Sequence, residues 1–241
     1  MHDLNNLGSR KIIGFGDGSV FITETVLFAI IVAVVLIILA LFLTRKMQQV
    51  PGKSQAIAEI IVETIYNMVG NNMGKHNLRF APYIGTLMIF LIFCNATGLF
   101  GVRPVTADVN MTFGMSTITF FIIQVSSIKA NGLGGYFHHL CKPMAFMLPL
   151  NILEQISLVL SLGFRLFGNI AGGMVIMAMI FSGLHAGCEA LHLPIPILQA
   201  VIPLPANLFF DVFEPVLQAF IFTMLTMIFI SKELPAPGEE H

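Results

Sequence analysis

The chain has 241 residues, of which 56% are hydrophobic and only 10% charged, and its mean hydropathy is +0.86. Soluble domains carry about 25% charged residues, so this composition excludes an ordinary soluble fold and fits a membrane protein of five or six spans with loops. Twelve Lys+Arg against thirteen Asp+Glu leave a net charge of −1, so no basic surface for nucleic acid stands out.

The cysteines Cys94, Cys141 and Cys188 are scattered, and no His pair has the HExxH spacing, so neither a disulfide framework nor a metal site is expected. No cofactor is called for. The first apolar run is too long for a signal h-region and lacks a small-x-small cleavage site, so it reads as a true span.

In chain order, residues 1–20 are polar and glycine-rich and read as a loop or tail. The first span covers 21–44 and stops at Arg45-Lys46, and Pro51-Gly52 turns the chain. Residues 54–72 place Ile57, Ile60, Ile61 and Tyr66 against Glu59, Glu63 and Asn67 at near-helical spacing. That pattern predicts an amphipathic helix at the membrane interface. The second span covers 81–102. The third covers 111–128 and closes at Lys129 and the turn-rich Asn131-Gly132-Leu133-Gly134-Gly135.

Two over-long apolar runs follow, 144–184 and 195–230, with a loop at 185–194 between them and a polar tail at 231–241. A straight helix through the first run would be about 60 Å long, twice the hydrocarbon thickness. Length alone slightly favours folding it back as two spans. Charge argues the other way. Arg45, Lys46, Lys53, Lys75 and Arg79 fall between the first two spans, and Lys129 and Lys142 after the third, whereas 185–194 has no Lys or Arg. Basic loops stay cytoplasmic, so five spans with single tilted helices, an outside amino terminus and a cytoplasmic carboxyl terminus fit best. The fold class expected is an all-α polytopic membrane protein: about five membrane helices plus one amphipathic interfacial helix, in one membrane domain.

Within 144–184, Glu154, Ser157, Ser161, Arg165 and Asn169 are separated by 3, 4, 4 and 4 residues and form one polar stripe on an apolar helix. An arginine at a membrane helix centre costs about 2.5–3.5 kcal/mol on insertion scales, so Arg165 marks an ion pathway or a buried partner. The plainer account is an interface position, or a structural pairing with Glu154. The serines back-bonding to carbonyls and Gly168, Gly172 and Gly173 serving helix packing are plainer accounts of those residues. In the last run Asn207, Asp211, Glu214 and Gln218 are spaced 4, 3 and 4, and put two carboxylates and two amides on one face. One arginine cannot neutralise Glu154, Asp211 and Glu214 together, so some of these acids must reach water or hold a proton, as a proton relay requires. Pro203, Pro205 and Pro215 allow the plainer account that Asp211 and Glu214 lie near an interface.

SLGFRLFGNIAGG and LQAFIFTMLTMIFIS resemble the two signature helices of subunit a of the F-type ATP synthase, and the other segments agree in order and length over essentially the whole chain. The resemblance implies a non-catalytic stator subunit in the bacterial plasma membrane, with its last two helices long, strongly tilted and paired as a hairpin against the rotating c-ring. Peripheral-stalk b subunits and the rest of the complex are the other implied partners. It implies that Arg165 faces the ring's carboxylates and separates two aqueous half-channels. Asn169 would lie one turn along, Gln218 would face the arginine, and Glu154 would line one access channel. The family often places a titratable group just after the arginine motif; here Gly173-Met174 stand there. The position two turns before the glutamine, which the family pairs with it, is Asp211, so the acid is expected to have moved to the last helix, with Glu214 sharing its work.

Two other classes compete. An independent secondary ion transporter or channel would need a substrate site within this chain, built from repeats or broken helices, and none is visible. An intramembrane hydrolase using His185, His192 and a serine lacks a nucleophile turn.

Overall fold

The computed structural model describes residues 11–15, 20–45, 47–49, 52–100, 102, 104–141, 146, 148–190 and 202–234. Among the described residues, five helices are long and apolar enough to cross a membrane. The tail expected at residues 1–20 contains instead two short antiparallel strands, β1 (Lys11–Phe15) and β2 (Val20–Thr23). They are rich in Ile, Phe and Val, which favour extended backbone, and Gly-Asp-Gly-Ser lies between them.

Thr23 then caps α1 (Glu24–Thr44): its hydroxyl accepts the Val26 backbone N–H at 3.4 Å, and Glu24 sits in the positive first turn. At 1.5 Å per residue α1 is about 32 Å long, enough to span. Helix α2 (Lys53–Met73) is too polar to span. It buries Gln55, Val69 and Met73 and leaves Ile57, Ile60 and Tyr66 exposed. It ends at Gly74, whose φ of 85° suits glycine.

Helix α3 (Ala81–Ala96) starts with Pro82, where a missing N–H does no harm. Helix α4 (Val109–Leu140) is introduced by Asp108, whose Oδ1 accepts the Asn110 N–H while Oδ2 accepts the Thr25 hydroxyl at 2.7 Å. That bond ties the starts of α1 and α4. The turn expected at 131–135 is a kink at Gly132 (φ 70°, ψ 167°), after which the chain is helical again to Leu140. A backbone shape open only to glycine bends the helix without ending it.

Helix α5 (Leu148–Ala190) is one uninterrupted helix of 43 residues. This settles the length question against two folded-back spans. Helix α5 also runs through 185–190, part of the expected 185–194 loop; residues 191–194 lie outside the described residues. Helix α6 (Pro203–Leu208) passes through a π turn (Phe209–Phe213) directly into α7 (Glu214–Glu233). The junction residues keep helical angles, and the Glu214 N–H reaches back five residues to the Phe209 carbonyl. Pro215 cannot donate to the carbonyl four residues before it, and the wider turn beside it accommodates that loss.

Among the described residues three buried clusters hold the bundle together, one of them joining Val32 of α1 to Cys94 of α3 and Val105. Leu87 and Leu91 of α3, Leu162 and Leu166 of α5, and Ala219 and Phe222 of α7 interlock. Val69, Met73, Ile84, Ile123, Met227 and Ile230 join α2, α3, α4 and α7. Lipid is as apolar as these side chains, so close packing is the main source of stability here. Gly163 shows it: a Cβ there would lie 3.2 Å from the Phe113 ring.

Candidate functional site

The site is built from α5 and α7, which run antiparallel and meet in successive rungs. At one end Lys232 Nζ pairs with Glu154 Oε1 at 2.6 Å. Further along, Asn169 Nδ2 donates to Gln218 Oε1 at 2.6 Å. One turn beyond, Gly173 lies against Glu214: a Cβ there would sit 3.3 Å from Glu214 Oε2 and 2.9 Å from Phe210 Cδ1. The matched four-residue steps, 169 to 173 and 218 to 214, keep the same faces in contact on both helices.

The polar stripe of α5 lies opposite its packed face. Glu154, Ser157, Ser161, Arg165 and Asn169 are exposed in the isolated chain, while Leu162, Leu166 and Ile170 are buried. Arg165 has no hydrogen-bond or ion-pair partner among the described residues. Glu154, about 16 Å away along the helix axis, is taken by Lys232. The structural pairing of Arg165 with Glu154 is thereby excluded. Gln218 is 1% exposed, and its Nε2 finds no acceptor among the described residues.

Two separate cavities flank Arg165 along α5. The first, of about 180 Å³, is lined by Gln124, Asn151, Glu154, Gln155, Lys232 and Glu233 among apolar neighbours. Tyr136 donates to Gln124 at 2.6 Å and Gln124 to Gln155 at 3.0 Å, so one wall is a fixed polar chain. The second, of about 140 Å³, holds Asn95, Gly173, Met174, Asn207, Phe210 and Glu214. Asn95 Nδ2 donates to the Pro215 carbonyl at 3.1 Å, and Asn95 Oδ1 accepts the Thr106 hydroxyl. Leu162, Leu166 and their cluster close the helix interface between the two cavities.

The structure thus brings Glu154, Asn207, Glu214, Asn169 and Gln218 to the α5–α7 interface and its cavities, and leaves Ser157, Ser161 and Arg165 on the open face. Asp211 is in the π turn, and its side chain lies outside the described residues. Lys232, Asn95 and Thr106 were missed by sequence reasoning. Asn95, an amide deep in an apolar run, was the one readable signal; the partners of Lys232 and Thr106 come from distant segments. Among the described residues no three His, Cys, Asp or Glu gather as a metal site.

Residues 26–231 match the family model for the ATP synthase A chain. The chain belongs to that family. Its relatives include "ATP synthase subunit a, sodium ion specific" of Propionigenium modestum, 31% identical over 88% of this chain and 74% of the relative. Subunit a of Moorella thermoacetica is 31% identical over 90% of this chain and 94% of its own length. Subunit a 3 of Pelobacter propionicus is 34% identical over 88% and 87%. This ATP synthase subunit is a multi-pass membrane protein of the ion-transporting membrane sector.

Proposed function

We propose that the chain is the stationary ion-translocating subunit of a rotary F-type ATP synthase, without a catalytic site of its own. It couples ion passage to rotation of a ring of carboxylate-bearing subunits. The observation that carries the reading is the placement of an arginine, without a partner among the described residues, between two cavities with acidic linings. The Glu154 cavity serves as the cytoplasmic half-channel and the Glu214 cavity as the outer one.

A guanidinium stays charged at any physiological pH, so Arg165 acts by its field and not by proton transfer. A ring carboxylate arriving beside it is favoured in the charged form and releases its ion. Beyond the arginine, in lipid, that carboxylate has to be neutral again, so it must be loaded from the other half-channel. Asn169 and Gln218 fix the helix faces next to Arg165. The outer half-channel takes its titratable group from the last helix, Asp211 or Glu214, because Gly173-Met174 stand just after the arginine motif on α5.

Helix α5 is about 65 Å long against about 30 Å of hydrocarbon, which supports a strong tilt of the α5–α7 hairpin. Arg45, Lys53, Lys75 and Arg79 between α1 and α3 support an outside amino terminus and a cytoplasmic carboxyl terminus. Stalk b subunits and the catalytic head complete the assembly. The test is ATP synthesis in energised membranes. Arg165→Ala abolishes it, and Arg165→Lys lowers it nearly as far because the planar fork is lost. Normal synthesis with Arg165→Ala sinks the reading.

A further inference from the structure

The α5 side of the outer cavity has no acid, and what stands there is Gly173. Its bare Cα is in use. Glu214 Oε2 and the Phe210 ring occupy the space that a side chain would fill, at 3.3 and 2.9 Å from the position of a Cβ. The carboxylate of α7 therefore reaches across to α5. A second device fixes α7 at that height. Asn95 of α3 donates to the Pro215 carbonyl at 3.1 Å, is held in turn by Thr106, and both groups are buried. Glu214 and Pro215 are adjacent, so this clamp sets where the Glu214 backbone sits. The π turn before it does the rest: Asn207, Phe210 and Glu214 all line the one cavity.

We propose that Gly173 and Asn95 are positioning residues that seat the Glu214 carboxylate in the outer cavity, and that the ion passes through Glu214 there. The proposal rests on the stator reading above and deepens it. The proton moves onto a Glu214 oxygen from water on the outer side and leaves it for a ring carboxylate. No bond other than O–H is made or broken, and no further reactant is needed. Larger residues at 173 displace the carboxylate; Asn95→Leu frees the Pro215 carbonyl and lets the seat shift.

The assembled complex is tested in inverted membrane vesicles by ATP-driven acidification. Glu214→Gln lowers pumping at least about tenfold, the scale of a lost proton-transfer group, while ATP hydrolysis by the attached head continues. Glu214→Asp recovers pumping with a displaced pH profile, a change that a purely structural role does not produce. Gly173→Leu resembles Glu214→Gln. Pumping within about twofold of the unaltered complex in Glu214→Gln, or unchanged pumping in Gly173→Leu, overturns the proposal.

A second readout needs no turnover. In a background with Cys94, Cys141 and Cys188 changed to Ser, Glu214→Cys reacts with a membrane-impermeant thiol reagent from the outer side. Adding Gly173→Leu slows that reaction. An unreactive Glu214→Cys in the assembled complex also overturns the proposal. If Arg165→Ala in the same vesicles abolishes pumping but Glu214→Gln does not, only this proposal fails; normal pumping in Arg165→Ala removes the stator reading as a whole.

Discussion

Residue by residue, the site separates charges that have partners from those that do not. Glu154 and Lys232 hold each other at 2.6 Å but are 60% and 55% exposed. An ion pair of that kind contributes at most about 1 kcal/mol, because water and salt screen it. Lys232→Met is therefore expected to leave the melting temperature of the purified complex within a few degrees. Gln218 is the contrasting case, because it is buried and Asn169 donates to its oxygen. Gln218→Leu removes that acceptor, and a hydrogen bond of this kind contributes about 0.5–1.5 kcal/mol. The expected outcome is impaired ATP synthesis with only a modest loss of thermal stability. The polar residues were legible in the sequence from their spacing. Their partners were not. Lys232 meets Glu154 across 78 positions and Asn95 meets Pro215 across 120, and no local pattern encodes contacts of that range.

At the scale of elements, hydropathy made the long helices legible, since a run such as α1 has one stable form in lipid. The breaks were harder to read. The cluster at 131–135 suggested a chain reversal, yet Gly132 alone changes conformation and the helix resumes. Gly132→Ala places a Cβ in a backbone region that only glycine adopts freely, so it is expected to destabilise α4 by about 1–3 kcal/mol, visible as a lower melting temperature and reduced yield in detergent. The π turn was also hidden: Pro215 announced a disturbance but not that α6 and α7 would stay one helix across it. The β1–β2 hairpin went unread because glycines dominate its neighbourhood. The uninterrupted course of α5 was open from length alone and was decided only by charge in the loops, which is an argument about the whole chain and not about the element.

For the whole molecule, the proposed topology of five single crossings would put the two termini on opposite sides of the bilayer. Protease-cleavable tags at the two ends are expected to be cut from opposite faces of sealed vesicles, the carboxyl-terminal one from the cytoplasmic face; cleavage of both from one face contradicts five spans. The bundle's packed side joins α2, α3, α4 and α7, and the open side of α5 presents Arg165 with Ser161, Gly168 and Asn169, all exposed in the isolated chain. A guanidinium without a partner among the described residues is stable at membrane depth only beside an anionic partner or water. The account thus depends on a second protein bringing carboxylates past Arg165 one at a time. The most direct test is ATP-driven acidification by inverted vesicles carrying Arg165→Ala in the assembled complex. The account predicts that ATP is hydrolysed and no gradient forms; a gradient equal to that of the unaltered complex contradicts it.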